Sequence, residues 1–333
     1  MEWIIFLCFI ISFFVTLTLT PYWIRLAHKM GIVGKDMHKL DERKVAELGG
    51  IIVVFGFLLG ILCYIAIDTF YISHDYFNLN RDVQILACLV TILMVAIIGM
   101  LDDILGWKIG LRQYQKPFLV LIATIPMIVV NAGVSVMAIP FFGSMDIGLL
   151  YPLLIVPLAI TGAANGFNML AGYNGLESGL GIIILTFLSY MAWLNNAGWV
   201  AVLGLCMVAA LFAFYVFNSY PSRVFPGDTM TYAVGAMIAI VAISGNIEKV
   251  ALIVFIPYFI ECVLKLRGMM QKESFAKLNT DGSLSLNDGI YGLEHVVIWL
   301  KNKFGKKAYE KDVVFSLYLF QLFFIIIAVL FVV

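Results

Sequence analysis

The chain has 333 residues, 62% of them hydrophobic and only 13% charged, with a mean hydropathy of +1.00, far outside what a water-soluble domain of that length carries. It reads as an all-α polytopic membrane protein. Twenty-one Lys and Arg balance twenty-one Asp and Glu, which offers no basic surface to nucleic acid, and the five cysteines lack the paired spacing of a disulfide framework, a zinc site or a redox motif.

A bilayer core about 30 Å thick needs about 20 apolar helical residues per crossing. Ten such stretches follow one another, near 3–24, 48–69, 84–101, 117–138, 148–164, 178–195, 198–217, 229–246, 249–266 and 313–333. The first begins behind Met1-Glu2-Trp3 without the basic lead or cleavage site of a signal peptide and reads as a retained span. Between the sixth and seventh, Asn195-Asn196-Ala197-Gly198 leaves room only for a tight helical hairpin. No repeat, low-complexity tract or long linker divides residues 1–333, so they read as one integral membrane domain. Nineteen Lys and Arg fall in the odd-numbered loops and their flanks, against Arg81 and Lys249 in the even-numbered ones. That bias places the odd loops, approximately 25–47, 102–116, 165–178, 218–228 and 267–312, in the cytoplasm and both termini outside. The six tryptophans agree, since all fall near span ends or in loops, at headgroup depth.

The cytoplasmic loops concentrate carboxylates, amides, glycines and lysines. From Gly34 to Gly50 the basic residues Lys35, Arg43 and Lys44 suit a solvated surface facing anionic headgroups at least as well as a catalytic role. Glu47 differs, standing at the Gly49-Gly50 pair that opens the second span, where a carboxylate nears hydrocarbon and backbone can approach a ligand. Asp102 and Asp103 end the third span. A carboxylate at mid-bilayer costs about 2.5–3.5 kcal/mol, so two at a helix end need water, a cation or a basic partner. Adjacent helical residues diverge by about 100°, which gives the pair two different partners; the plain alternative is two water-exposed acids. Lys116, before Pro117, is either a phosphate-binding point charge or a snorkelling lysine at a span end.

Residues 165–179 hold three asparagines and four glycines, which favours a binding loop over amides that merely glue helices together. Asn165 and Asn168 share one face if the fifth helix runs through them, and Asn174-Gly175 marks a turn. Asp228 stands one residue ahead of the eighth span in Phe225-Pro226-Gly227-Asp228. Its carboxylate and the Asn168 carbonyl are hard oxygen donors that suit Mg2+, with Mn2+ as a substitute; an N-cap role for Asp228 is compatible. In the last loop, Asp281-Gly282 between Phe275–Asn279 and Ser283–Leu286 predicts a short β-hairpin, and Tyr291 to Leu300 suits an interfacial helix. Lys301, Lys303, Lys306 and Lys307 read as a lipid-facing surface. His28, His38, His74 and His295 are dispersed and receive no catalytic role, and Glu261 with Lys265 reads as a structural ion pair.

Asp102-Asp103, Asn165-x-x-Asn168 running into Leu-Ala-Gly-Tyr-Asn-Gly-Leu-Glu, Phe-Pro-Gly-Asp228 and Lys277-Leu278-Asn279 together resemble the polyprenyl-phosphate N-acetylhexosamine-1-phosphate transferases across the whole ten-span layout. The Leu-Ala-Gly-x-Asn-Gly-Leu-Glu string is most similar to the eukaryotic and archaeal dolichyl-phosphate GlcNAc-1-phosphate transferases. The resemblance implies attack by a polyprenyl or dolichyl phosphate on the β-phosphate of a UDP-N-acetylhexosamine, the first membrane step of lipid-linked glycan assembly. It further implies Asp228 and Asn168 as magnesium ligands, Phe225 stacked on uracil, Asn174 near the nucleoside, Asn165 in the substrate loop, Lys116 on phosphate, Glu47 as a polar active-site residue and Asp102 and Asp103 as the paired acids. One departure stands out: Gln271 to Ala276 replaces the basic His-Arg stretch of eukaryotic members, leaving Lys272 and Lys277 for sugar and diphosphate and the donor sugar open. The His-rich string of the peptidoglycan-precursor enzymes is absent there as well. Membrane lipid and a second copy of the chain are the remaining candidate partners, and plasma membrane and endoplasmic reticulum are the candidate locations. A secondary transporter is the competing class; it calls for polar residues near the bilayer centre and inverted repeats, and neither is evident. A non-catalytic scaffold is the third reading.

Overall fold

The computed structural model describes residues 2–41, 43–72, 79–139 and 143–332; Glu42 and His74 lie outside them. Helix α1 (Glu2–Met30) leads into strands β1 (Val33–Lys35) and β2 (Lys44–Ala46), then α2 (Gly50–Ile67), which continues as a π-helical turn to Ile72, and α3 (Leu79–Ile109). Next come α4 (Gln115–Ala123), α5 (Ile125–Val129), strands β3 (Val136–Ile139) and β4 (Gly143–Asp146), and α6 (Val156–Met169), entered through a π-helical turn from Tyr151. The remainder is α7 (Leu176–Leu194), α8 (Gly198–Asn218), α9 (Gly227–Ser244), α10 (Glu248–Val254), α11 (Ile256–Arg267), β5 (Lys277–Leu278), β6 (Leu284–Ser285), α12 (Leu293–Lys303) and α13 (Glu310–Val332).

Among the described residues eight helices are long and apolar enough to cross a membrane, and the chain is a multi-pass membrane protein. The other two expected spans, 117–138 and 249–266, are each a pair of shorter helices, α4 with α5 and α10 with α11. Both breaks fall immediately before an Ile-Pro dipeptide, Ile125-Pro126 and Ile256-Pro257. Proline brings no N–H to the ladder and its ring crowds the carbonyl four residues back, so the preceding turn opens. The fourth stretch also stops at Val129 rather than 138, because the chain turns into the β3–β4 hairpin.

The first loop is likewise not a merely solvated segment. Its β1 and β2 pair antiparallel, Val33 with Ala46 and Lys35 with Lys44, and Ala46 then forms a parallel bridge to Val224, far along the chain. The last loop holds the expected hairpin, Lys277 opposite Ser285 and Leu278 opposite Leu284. Its helix α12 buries Leu293, Glu294, His295 and Ile298 and leaves Trp299 and Leu300 exposed, an arrangement compatible with one face resting on the bundle.

Helix α9 is the axis of the molecule. Every residue from Thr229 to Ile243 is buried, and small residues at Ala233, Gly235, Ala236 and Ala239 let α3 and α6 approach closely. The site described next gathers around its N-terminus.

Candidate active site

Asp102 and Asp103 lie in the last regular turn of α3 before Gly106, which at φ +67° leaves the helical conformation and kinks the helix. The two acids serve different partners. Asp103 accepts hydrogen bonds from the backbone N–H groups of Asp228 (2.8 Å) and Thr229 (3.0 Å) and from the Thr229 hydroxyl (2.7 Å). It therefore caps α9 from a neighbouring helix, satisfying N–H groups that a helix start leaves without intrahelical partners. Gly227 makes this approach possible: at φ +69°, a Cβ there would lie 2.5 Å from an Asp103 oxygen. Asp102 instead pairs with Lys116 (2.5 Å) and accepts the Leu111 N–H (2.6 Å). Lys116 also donates to Asp228 at 2.9 Å, so one ammonium is shared by two carboxylates, with a third on the same helix start.

Asp228 and Asn168 line one cavity of about 220 Å³, with Phe225, Thr231, Tyr173 and Phe275 in its walls. Asn168 accepts the Thr231 hydroxyl through its carbonyl oxygen at 2.7 Å. This donor set fits a hard divalent cation. Three carboxylates against one ammonium leave the cluster negative, and Mg2+ is commonly held by one or two carboxylates plus substrate phosphate oxygens. Among the described residues no group of three His, Cys, Asp or Glu forms a complete cage, so Asn168 and the substrate would have to share the coordination.

Glu47 follows β2 with its backbone carbonyl held by Trp23 (2.8 Å). Its half-buried carboxylate lies over Gly34, where a Cβ would come within 2.2 Å of it. Burial, with the charge of Asp103 behind it, holds this carboxyl above its ordinary pKa. The Gly49-Gly50 pair, expected to bring backbone to a ligand, instead brings it to the protein: Gly49 and Gly50 donate to the carbonyls of Phe225 (3.0 Å) and Pro226 (2.8 Å). That contact and the Phe225 N–H bond to Ala46 (2.7 Å) seat Phe225 in the cavity wall.

A second, apolar cavity of about 530 Å³ runs between α4, α6, α9, α10 and α11, from Pro117 to Glu248. Helix α6 borders both spaces: Asn168 lines the polar one, Asn165 and Met169 the apolar one. Asn165 thus shares the α9-facing side of the helix with Asn168, but it bonds to Thr161 (2.8 Å) and Tyr232 (3.1 Å) beside the apolar space. The Lys116 cluster therefore stands at the seam of a polar and an apolar compartment.

The family-4 glycosyl transferase model matches residues 85–246, a segment holding Asp102, Asp103, Lys116, Asn168, Phe225 and Asp228. A protein of Saccharolobus solfataricus, provisionally named UDP-N-acetylglucosamine–dolichyl-phosphate N-acetylglucosaminephosphotransferase, is 36% identical over 98% of this chain and 96% of its own. Its namesake in Sulfolobus acidocaldarius is 33% identical over the same shares. A phospho-N-acetylmuramoyl-pentapeptide-transferase of Halalkalibacterium halodurans is 31% identical over 76% of this chain and 79% of its own. The chain belongs to glycosyl transferase family 4.

For this family-4 transferase the remaining candidates fall outside the polar cavity wall. Asn174 is buried and fully engaged, donating to Asp36 (3.1 Å) and Glu310 (2.5 Å) and accepting the Ser222 N–H (2.6 Å). It ties the first loop, the 218–228 loop and α13 together beneath the cavity. Lys272 is exposed and paired with Asp288 at 3.0 Å, and Lys277 is exposed on β5; between them Phe275 is the residue that faces the cavity. The sequence marks no site role for Asp36, Thr231 and Phe275 and leaves Lys35 open between a headgroup-facing and a catalytic role; all four stand in the cavity wall. It also marks none for His38, which accepts the Ala276 N–H (3.3 Å) and packs on Tyr173 with ring centres 4.4 Å apart. The only signal for these was their nearness to a motif.

Proposed function

We propose that this transferase moves GlcNAc-1-phosphate from UDP-GlcNAc to a polyprenyl or dolichyl phosphate, giving the lipid-linked diphosphate sugar and UMP. The observation that carries this reading is the seam: a charged cluster built on Asp102, Lys116 and Asp228 separates a cavity suited to a polar donor from one suited to an isoprenoid. An oxygen of the lipid phosphate attacks the donor's β-phosphorus, the bond to the bridging oxygen breaks, and that oxygen leaves with UMP. The nucleophile is already an anion, so the protein's task is alignment and neutralisation of clustered charge.

The roles follow the geometry. Phe225 offers its ring to the uracil, Lys35 is the basic side chain in the wall of the polar cavity, and Lys116 receives the lipid phosphate as it emerges beside Pro117. Asp103 holds the start of α9, and with it Asp228, in register. Asp228 and Asn168 would hold Mg2+, which when bound supplies Lewis-acid neutralisation of the diphosphate. Helix pairs α4–α5 and α10–α11 complete ten crossings, which with the Lys and Arg bias supports a site on the cytoplasmic face. Purified protein given polyprenyl phosphate, Mg2+ and UDP-GlcNAc should release UMP. No UMP with any member of a UDP-sugar panel overturns the proposal, and solute counterflow across proteoliposomes would favour a transporter instead.

A further inference from the structure

We infer that Lys265 and the two acids around it form a buried anchor that docks the last loop and so sets the Phe275 wall of the donor cavity, making Lys265 a positioning residue. This rests on the functional reading above for what the cavity binds, but not for the docking itself.

Lys265 is nearly buried at the end of α11, with its ammonium 2.5 Å from the Ser274 hydroxyl oxygen and 3.6 Å from a Glu261 oxygen. Glu261 is fully buried, and its other oxygen accepts the Leu293 N–H at 2.6 Å, capping α12. Glu294, in that helix's first turn, is also fully buried, and neither of its oxygens has a hydrogen-bond partner among the described residues. The two acids lie close together: a Cβ on Gly292 would sit 2.4 Å from one Glu294 oxygen and 2.9 Å from Glu261 Oε1.

One ammonium cannot balance two carboxylates out of water, and a buried charge without a partner is far costlier than a proton taken up. Glu261 faces the ammonium and accepts the Leu293 N–H, so Glu294, which pairs with no cation among the described residues, is the neutral one. Burial, with Glu261 behind it, holds its carboxyl well above the usual range. That leaves Lys265 and Glu261 as a balanced pair, with the ammonium free to fix Ser274.

Ser274 is the joint of the loop. Its carbonyl accepts the Tyr173 hydroxyl at 3.2 Å, the next residue lines the cavity, and the one after donates its N–H to His38. The Phe275 ring packs over Gly172, where a Cβ would meet it at 3.1 Å. The Asn287 amide donates to the Phe275 carbonyl at 3.3 Å, and among these bonds to residues 274–276 that of Lys265 is the charge-assisted one, the stronger kind.

The test compares hydrogen exchange across residues 272–278 with donor kinetics in Lys265→Met, Lys265→Arg and Ser274→Ala, the last removing the bond while leaving the ammonium and both carboxyls in place. Loss of one charge-assisted bond predicts about tenfold faster exchange and about a tenfold rise in the KM for UDP-GlcNAc, with kcat within about threefold. Arg at 265 should recover most of both. Unchanged exchange in Lys265→Met and Ser274→Ala overturns the anchor, and faster exchange with unchanged KM overturns its positioning role. If the wild type turns over no donor, the functional reading fails, while the exchange comparison still decides the docking.

Discussion

Two groupings of one base between two acids sit at opposite ends of the bundle. At one end Lys116 is shared by Asp102 and Asp228; at the other Arg81 is shared by Asp68 and Asp82. Their ingredients are nearly identical, but the first borders the donor cavity through Asp228 and has a further acid, Asp103, on the same helix start. Arginine presents a planar fork that can satisfy two carboxylates at once, whereas lysine is a point charge that leaves carboxylate oxygens available. Charge count is thus a poor marker of a site. Surplus charge of one sign, beside a space large enough for a ligand, is a better one.

The sharpest way to break this comparison is to cut each grouping once. Asp228→Ala should lower turnover by about a thousandfold, the scale of a lost electrostatic contact in a preorganised site. The protein should stay folded, because Asp103 grips backbone N–H groups that the substitution leaves in place. Arg81→Ala should do the reverse, costing on the order of 3 kcal/mol by stranding buried acids while the surviving folded fraction keeps its turnover. UMP release and thermal midpoints, measured on both variants, check the pair. A large turnover loss in Arg81→Ala without unfolding would make the far grouping part of the machinery.

Asp103→Asn stands between these extremes. It keeps one acceptor oxygen of the two that hold Asp228 and Thr229, so turnover should fall about a hundredfold and stability by about 1–2 kcal/mol together. Loss of turnover with no loss of stability would show that the cap is dispensable and that Asp103 acts on substrate directly. A smaller effect belongs to Phe225→Ala. Stacking of an aromatic on a base contributes about 1–3 kcal/mol, which should appear as a rise in donor KM of about tenfold or more, with kcat for the lipid phosphate step little changed. A KM that does not move would remove the nucleobase from this wall.

The residues that answered to the sequence are those whose chemistry clashes with their surroundings. In a chain that is 62% hydrophobic, Asp102, Asp103, Asn168 and Asp228 are conspicuous at span ends, and the structure gathers them at one helix start. What escaped depends on contacts between distant segments. The bridge from Ala46 to Val224 has no local signature, and without it Lys35 looks like any headgroup-facing lysine. Asn174 was legible as important but not as a tie, since its partners Asp36, Ser222 and Glu310 come from three separate segments. Lys272 and Lys277 look basic enough for a diphosphate, yet a two-residue strand turns the second outward and Asp288 holds the first. The interrupted spans are a different case. Pro126 and Pro257 lie inside the hydropathy windows, and the preference of proline for helix starts was readable there.

The smallest expected effect concerns Glu47, which tests whether the cavity end carries surplus negative charge. Its pKa is raised mainly by burial and then by Asp103, so the folded state prefers the protonated acid. For an acid shifted in that direction, the stabilisation is complete below the ordinary value of 4.5 and fades as pH rises through the folded-state value. Glu47→Gln stays neutral throughout. Its thermal midpoint should match the wild type at the acid end of a series from about pH 4 to 8 and exceed it by about one or two degrees at the neutral end. Parallel curves would mean a carboxylate solvated well enough to ignore its neighbour. A wild type that gains on the variant as pH rises would mean that Glu47 has found a cation, and the larger surplus of negative charge at the Lys116 end would lose its basis.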